Sequence, residues 1–161
     1  MNVNRAVLYL GVFAIGTIAG LRSLTAPALV SWAAYLGWLD LSGSLLSFLG
    51  SRAATITLSL LALGEMVADK LPKTPNRTDP GPLIFRVFTG GLSGIAICAS
   101  AHQSLVIGTI LGVLGSIAGA FAGYEIRHRV VKSFGLPDFG VAAAEDIAAI
   151  GGGFLIVSQL S

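Results

Sequence analysis

The sequence predicts an all-α, polytopic transmembrane bundle of six glycine-rich spans, alternatively five, joined by short loops in a single domain. Three observations carry this. Apolar residues make up 54% and charged residues 11% of the 161, with a mean hydropathy of +0.82, whereas a soluble domain of this size needs roughly 25% charge to cover its surface. Residues 87–124 contain no Asp, Glu, Lys or Arg over 38 positions, about 57 Å of helix and enough for two spans of about 20 residues. Finally, charge is concentrated: residues 63–94 hold seven of the 18 charged side chains, set between apolar segments.

The first span is read at 6–21, ending at Arg22. Its single preceding Arg5 and small residues Ala19 and Gly20 fit a cleaved leader poorly, because the chain continues as a polytopic protein. Ser23, Thr25 and Pro27 read as a helix start, a hydroxyl cap with proline in the first turn. They open a second span, 24–41, with Tyr35 and Trp38 as interfacial anchors. Segments 53–71, 83–101, 104–125 and 140–159 follow, the chain turning near His102, Gln103 and Ser104. Loops 70–86 and 125–138 are both basic and two spans apart, which places both in the cytoplasm and the C-terminus outside. Counting Lys and Arg gives eight inside and two outside whether 24–41 crosses fully or is re-entrant, so charge alone does not choose between six spans and five. The compact Ser-Leu-Thr-Ala-Pro turn favours six.

Glycines recur at four-residue spacing: Gly16 and Gly20, Gly90 and Gly94, Gly108 and Gly112, then Gly115, Gly119 and Gly123. Small residues at that interval let helices approach closely in lipid. Internal packing is the first expectation, with contacts between copies in a homo-oligomer the second. The stretch 16–20 also echoes 115–119.

Ionisable groups within or bordering spans are costly, by about 2.5–3.5 kcal/mol each at mid-helix on insertion scales, and need partners or a task. Glu65 and Asp69 lie one turn apart on one helix face. Arg22, Thr25, Glu65, Asp69, Lys70, Arg77, Thr78, Arg86, Glu145 and Asp146 form the candidate ligand-binding set on the cytoplasmic side. Mutual pairing, Arg22 with Glu145 or Asp146 and Arg86 with Glu65 or Asp69, would equally account for the charges. As a site, arginines and Lys70 suit a phosphate or carboxylate, so an anionic lipid headgroup or an ion joins the bilayer as expected partner. Glu65, Asp69 and Asp146 are the only carboxylates suited to a metal, and Mg²⁺ enters only if the protein is an enzyme acting on a lipid phosphate. No other cofactor is implied. His102 and His128 are isolated, Cys98 is alone, and zinc, Walker, Rossmann and nucleophile-elbow motifs are absent. The net charge of +2 belongs to membrane topology rather than to nucleic acid. The expected function is a transporter-like, channel-like or lipid-handling protein, with a structural or assembly role and a membrane enzyme as alternatives.

The stretches Gly20-Leu-Arg-Ser-Leu-Thr-Ala-Pro27, Gly64-Glu-Met-Val-Ala-Asp-Lys-Leu-Pro72 with Pro75-Asn-Arg-Thr78, and Ala144-Glu-Asp-Ile147 resemble the signature segments of domain-of-unknown-function family 4126, small bacterial integral membrane proteins. That resemblance covers most of the chain and implies a location, not an activity. A fainter likeness runs to lipid cytidylyltransferases and prenol kinases, which share acidic helix ends and a Gly-Gly opening the next span. Their Asp-rich motifs are missing here.

Overall fold

A computed structural model describes residues 4–69, 76–134 and 138–160. Lys70 and Lys73 lie outside the described residues. Six α-helices follow one another: α1 Arg5–Leu21, α2 Thr25–Tyr35, α3 Arg52–Ala68, α4 Pro80–Ser100, α5 Leu105–Phe134 and α6 Asp138–Ser158, with a 310 turn, Ser47–Gly50, before α3.

Local chemistry sets most of these ends. Asn4 starts α1 by accepting a bond from the Ala6 amide at 3.0 Å, and Ser51 starts α3 by accepting from Ala54 at 3.1 Å. Asp79 precedes α4, whose first residue is Pro80, where a missing N–H costs nothing. Both α2 and α4 finish in a Schellman turn. For α2 the Trp38 amide reaches Ala33 at 2.8 Å and Gly37 reaches Ala34 at 3.1 Å, with Gly37 left-handed at φ 78°. For α4, Gln103 reaches Cys98 at 2.8 Å and His102 reaches Ala99 at 3.2 Å, with His102 in the same left-handed conformation at φ 51°.

Three sequence expectations are corrected. The second segment does not remain helical to residue 41; α2 stops at Tyr35, about 16 Å of helix. Residues 36–51 instead fold over the bundle, burying Leu39, Leu41 and Leu49. The basic segment 125–138 is not a loop through most of its length, because α5 continues to Phe134. Straight-chain Glu, Arg and Lys at 125, 127, 129 and 132 favour that helix, and Arg129 pairs with Glu125 one turn back at 2.7 Å. The expected loop 70–86 gives way to α4 from Pro80, so Arg86, which the expected span 83–101 also covered, sits inside that helix and is 4% exposed.

Among the described residues three helices, α4, α5 and α6, are long and apolar enough to cross a membrane. Successive helices reverse direction, so chain ends gather at two poles. Arg5, residues 37–40, residues 100–103 and Leu160 meet at one pole; Arg22, Asp69, Arg77 and Asp146 meet at the other. At the centre α5 lies against α1 and α4 with backbones nearly touching. A Cβ on Gly108 would stand 2.6 Å from the Gly94 carbonyl oxygen, and one on Gly90 would stand 2.7 Å from that of Gly112. The echoing stretches 16–20 and 115–119 face each other: Gly115 abuts Phe13 and Gly16, while Gly119 abuts Thr17. These four-residue repeats are therefore internal contacts, as small residues permit. Buried hydroxyls in this trio are satisfied within their own helices, Ser93 donating to Thr89 and Ser116 to Val113, both at 2.8 Å.

The outward faces of the helices are less enclosed. Leu60, Leu63 and Val67 of α3, Val106 and Phe121 of α5, and Ile147 and Leu155 of α6 are each at least half exposed. Apolar surface on that scale calls for an apolar surrounding.

Candidate functional site

The charged pole is built around the short turn from α1 to α2. Four N–H groups at the start of α2 and four carbonyls at the end of α1 have no partner within their helices, and this turn is buried, out of reach of water. Distant side chains supply what the turn lacks. Arg86, projecting from α4, donates from Nη1 to the carbonyls of Gly20 at 3.1 Å and Leu21 at 2.8 Å. A cation thus sits on the negative end of α1. Glu65 of α3 accepts from the amides of Ser23 at 2.8 Å and Leu24 at 2.7 Å, and from the Ser23 hydroxyl. An anion thus sits on the positive end of α2. The N-cap residue is Leu24 with no side-chain bond, so the hydroxyl cap expected from Ser23 or Thr25 is replaced by a carboxylate from another helix.

Arg22, in extended conformation between the two helices, has no exposed surface. Its Nη1 donates to Asp69 Oδ2 at the end of α3. Its Nε lies 2.6 Å from Asp146 Oδ1 of α6, close enough for strong attraction although the approach is out of line for a hydrogen bond. Arg86 Nη2 stands 3.9 Å from both Glu65 and Asp69, so a second guanidinium shares these carboxylates. Beside them, Arg77 engages Glu145 of α6 through both its terminal nitrogens, Nη2 to Oε2 at 2.8 Å. This is the two-pronged geometry that suits arginine and carboxylate.

Of the sequence candidates, Arg22, Glu65, Asp69, Arg86 and Asp146 are brought into one cluster, with Arg77 and Glu145 as an adjoining pair. Thr25 is buried next to the turn. Thr78 is half-buried ahead of α4, and Lys70 is outside the described residues. The partners differ in detail from expectation: Arg22 takes Asp146 but also Asp69, while Glu145 goes to Arg77. Among the described residues, no three His, Cys, Asp or Glu side chains gather to hold a metal ion, and Glu65, Asp69 and Asp146 each face a guanidinium. Pairing does not satisfy every group. Among the described residues, Arg22 Nη2, Arg86 Nε and Thr25 Oγ1 are buried without a hydrogen-bond partner, and each such group costs about 1–3 kcal/mol.

Sequence reasoning did not single out the opposite pole. There Arg5, Leu8, Gly37, Trp38, Asp40, residues 100–103 and Leu160 line a cavity of about 460 Å³. Asp40 accepts from the Ser42 amide at 2.9 Å and from its hydroxyl. Those two bonds, aided by the nearby His102, hold its carboxyl below the ordinary aspartate range. The signal available was weak: isolated charges at 5 and 40 only become neighbours through the fold.

The family model named Domain of unknown function (DUF4126) matches residues 9–159. No curated protein and no solved structure matches the chain.

Proposed function

The chain belongs to the Domain of unknown function (DUF4126) family, and from its own geometry we propose that it is a six-span inner-membrane transporter whose charged pole is a cytoplasmic gate, held closed. The observation that carries this is Arg22. One buried guanidinium ties the outer helices α3 and α6 to the α1–α2 turn, while among the described residues some of its donors have no hydrogen-bond partner. A clasp built from ion pairs with spare donors can exchange partners, for water or for an oxyanion such as a lipid headgroup. A purely apolar seal has no such alternative. The centre of the bundle favours a transporter over a channel: α1, α4 and α5 meet glycine to glycine and leave no room between them for a pore. Access from the cytoplasm then requires α3 and α6 to rock against that trio, rigid-body motion of the kind transporters use.

In the competing reading the same ion pairs are permanent and only fix helix registers. Cysteine labelling separates the two. Thr25→Cys places a thiol beside the clasp, and native Cys98, buried in α4 toward the other pole, serves as control. Asp69→Asn is then introduced and modification by a membrane-impermeant maleimide is followed at each site by mass spectrometry. A gate predicts at least tenfold faster modification at position 25 with Cys98 still protected. Equal acceleration at both sites means a permanent clamp whose loss loosens the whole bundle, and no acceleration at either overturns the gate.

A further inference from the structure

The cavity at the pole opposite the clasp has the makings of a ligand site. Its volume, about 460 Å³, lies within the range of small-molecule pockets. Its lining brings together charges of both signs, Arg5 and Asp40, with the imidazole of His102, the amide of Gln103 and the indole of Trp38. Several of these are fixed before any ligand arrives. Asp40 is oriented and kept ionised by Ser42. Trp38 is braced edge-on by Phe154 at a centroid distance of 5.4 Å.

The two helix ends that frame the cavity differ in one respect. Both are Schellman turns, and each needs a left-handed residue. At the end of α2 that residue is Gly37, the usual solution; at the end of α4 it is His102. A side chain with a Cβ is strained in this conformation, and strain retained in a non-glycine residue at a cavity wall points to use of that side chain. Glycine would serve the turn better, so it is the imidazole at the cavity that the turn retains.

We propose that this cavity binds a small zwitterion, an ammonium group joined to an oxyanion by a short linker. Arg5 receives the oxyanion, guanidinium being suited to two-pronged contact, with His102 and Gln103 of the same lining as further donors. Asp40 receives the ammonium, and the Trp38 ring attracts the same cation through its π face. A lone anion meets Asp40 and a lone cation meets Arg5, so the mixed lining rejects simple ions of either sign. Phosphoethanolamine has this chemistry, either free or as the headgroup of a membrane lipid. Should the protein be a transporter, the cavity is its outward-facing entry; that assignment alone rests on the gate, and binding does not.

The test uses the full chain in phosphatidylglycerol nanodiscs, whose headgroup carries no ammonium, titrated with free phosphoethanolamine by calorimetry. Ethanolamine and inorganic phosphate serve as half-ligands. Nanodiscs doped with phosphatidylethanolamine, read by native mass spectrometry for retained lipid, give the second arm. Saturable binding of the zwitterion at least tenfold tighter than either half-ligand is expected in one arm or both, and the stronger arm identifies the source. Asp40→Asn and Arg5→Gln are each expected to weaken it at least tenfold. His102→Gly is expected to melt higher than the native protein yet bind at least fivefold more weakly, a split that a merely structural histidine does not produce. Half-ligands binding as well as the zwitterion, or native affinity in any of the three variants, overturns the proposal. Binding without selective labelling at position 25 removes the gate and keeps the site; selective labelling without binding does the reverse.

Discussion

Arg22 is the residue whose loss the fold should feel most. It is fully buried and answers carboxylates on two other helices, so replacing it with a neutral side chain of similar length removes the charge and leaves Asp69 and Asp146 behind. Breaking a buried pair from one side costs about 3–5 kcal/mol, more than the pair itself contributes over an apolar substitute. Arg22→Met should therefore lower the thermal midpoint in detergent sharply, and adding Asp69→Leu should recover part of the loss. An additive double variant would show that the two do not interact. Asp40 is a different case, exposed and held by Ser42. Its folded pKa is depressed, so any stability linked to it is complete above the ordinary aspartate range and fades only as pH falls through the lower folded value. A carboxyl titration followed by NMR should place its midpoint below the ordinary aspartate range, and Ser42→Ala should move it up. The charged candidates were legible in the sequence because charge among apolar residues demands a partner. Which acid met which base was not, since Glu145 and Asp146 are neighbours in sequence yet face Arg77 and Arg22 respectively.

At the level of helices, glycine position divides the chain into surfaces that tolerate a methyl group and surfaces that do not. A Cβ at Gly112 overlaps the carbonyl of Gly90, and one at Gly115 overlaps that of Phe13, both backbone atoms with nowhere to go. At Gly151 and Gly152 of α6 nothing lies within 4 Å. Gly112→Ala should push α4 off α5 and cost about 1–3 kcal/mol, as overpacking does. Gly152→Ala should instead stabilise by about 0.5–1 kcal/mol through helix propensity alone. Thermal unfolding of the two variants in the same detergent checks the opposite signs. The four-residue glycine spacing was visible in the sequence, and it correctly pointed to close packing. Helix lengths were less accessible. Apolar residues continue past Tyr35, so hydropathy carried the second segment to 41, while the α2 stop depends on Gly37 turning left-handed. Conversely, charge at 125–132 suggested a loop, although charged straight-chain residues on an exposed extension are good helix formers.

For the whole molecule, the decisive property is which pole faces which compartment. Arg5 and Leu160 share one cavity, so the described ends of the chain lie at the same pole, as six alternating helices require and five would not. Arg22, Arg77, Arg86, Arg127, Arg129 and Lys132 lie at the other pole, against Arg5 and Arg52 at the first. Retention of Lys and Arg on the cytoplasmic side predicts that the clasp faces the cytoplasm and the opposite cavity faces out. The α5 extension should then project nearly three helical turns, about 15 Å, beyond the bilayer core, because 30 residues make about 45 Å of helix against a core of about 30 Å. Single cysteines at Asn4, Gln159 and Lys132 in a Cys98→Ala background test this directly. An impermeant maleimide added to intact cells should modify positions 4 and 159, and reach 132 only after permeabilisation. Modification of 159 but not of 4 would instead mean an odd number of crossings, with α2 folded back as a re-entrant helix. The clasp would remain cytoplasmic in that case, but Arg5 could no longer share an outward cavity with Asp40.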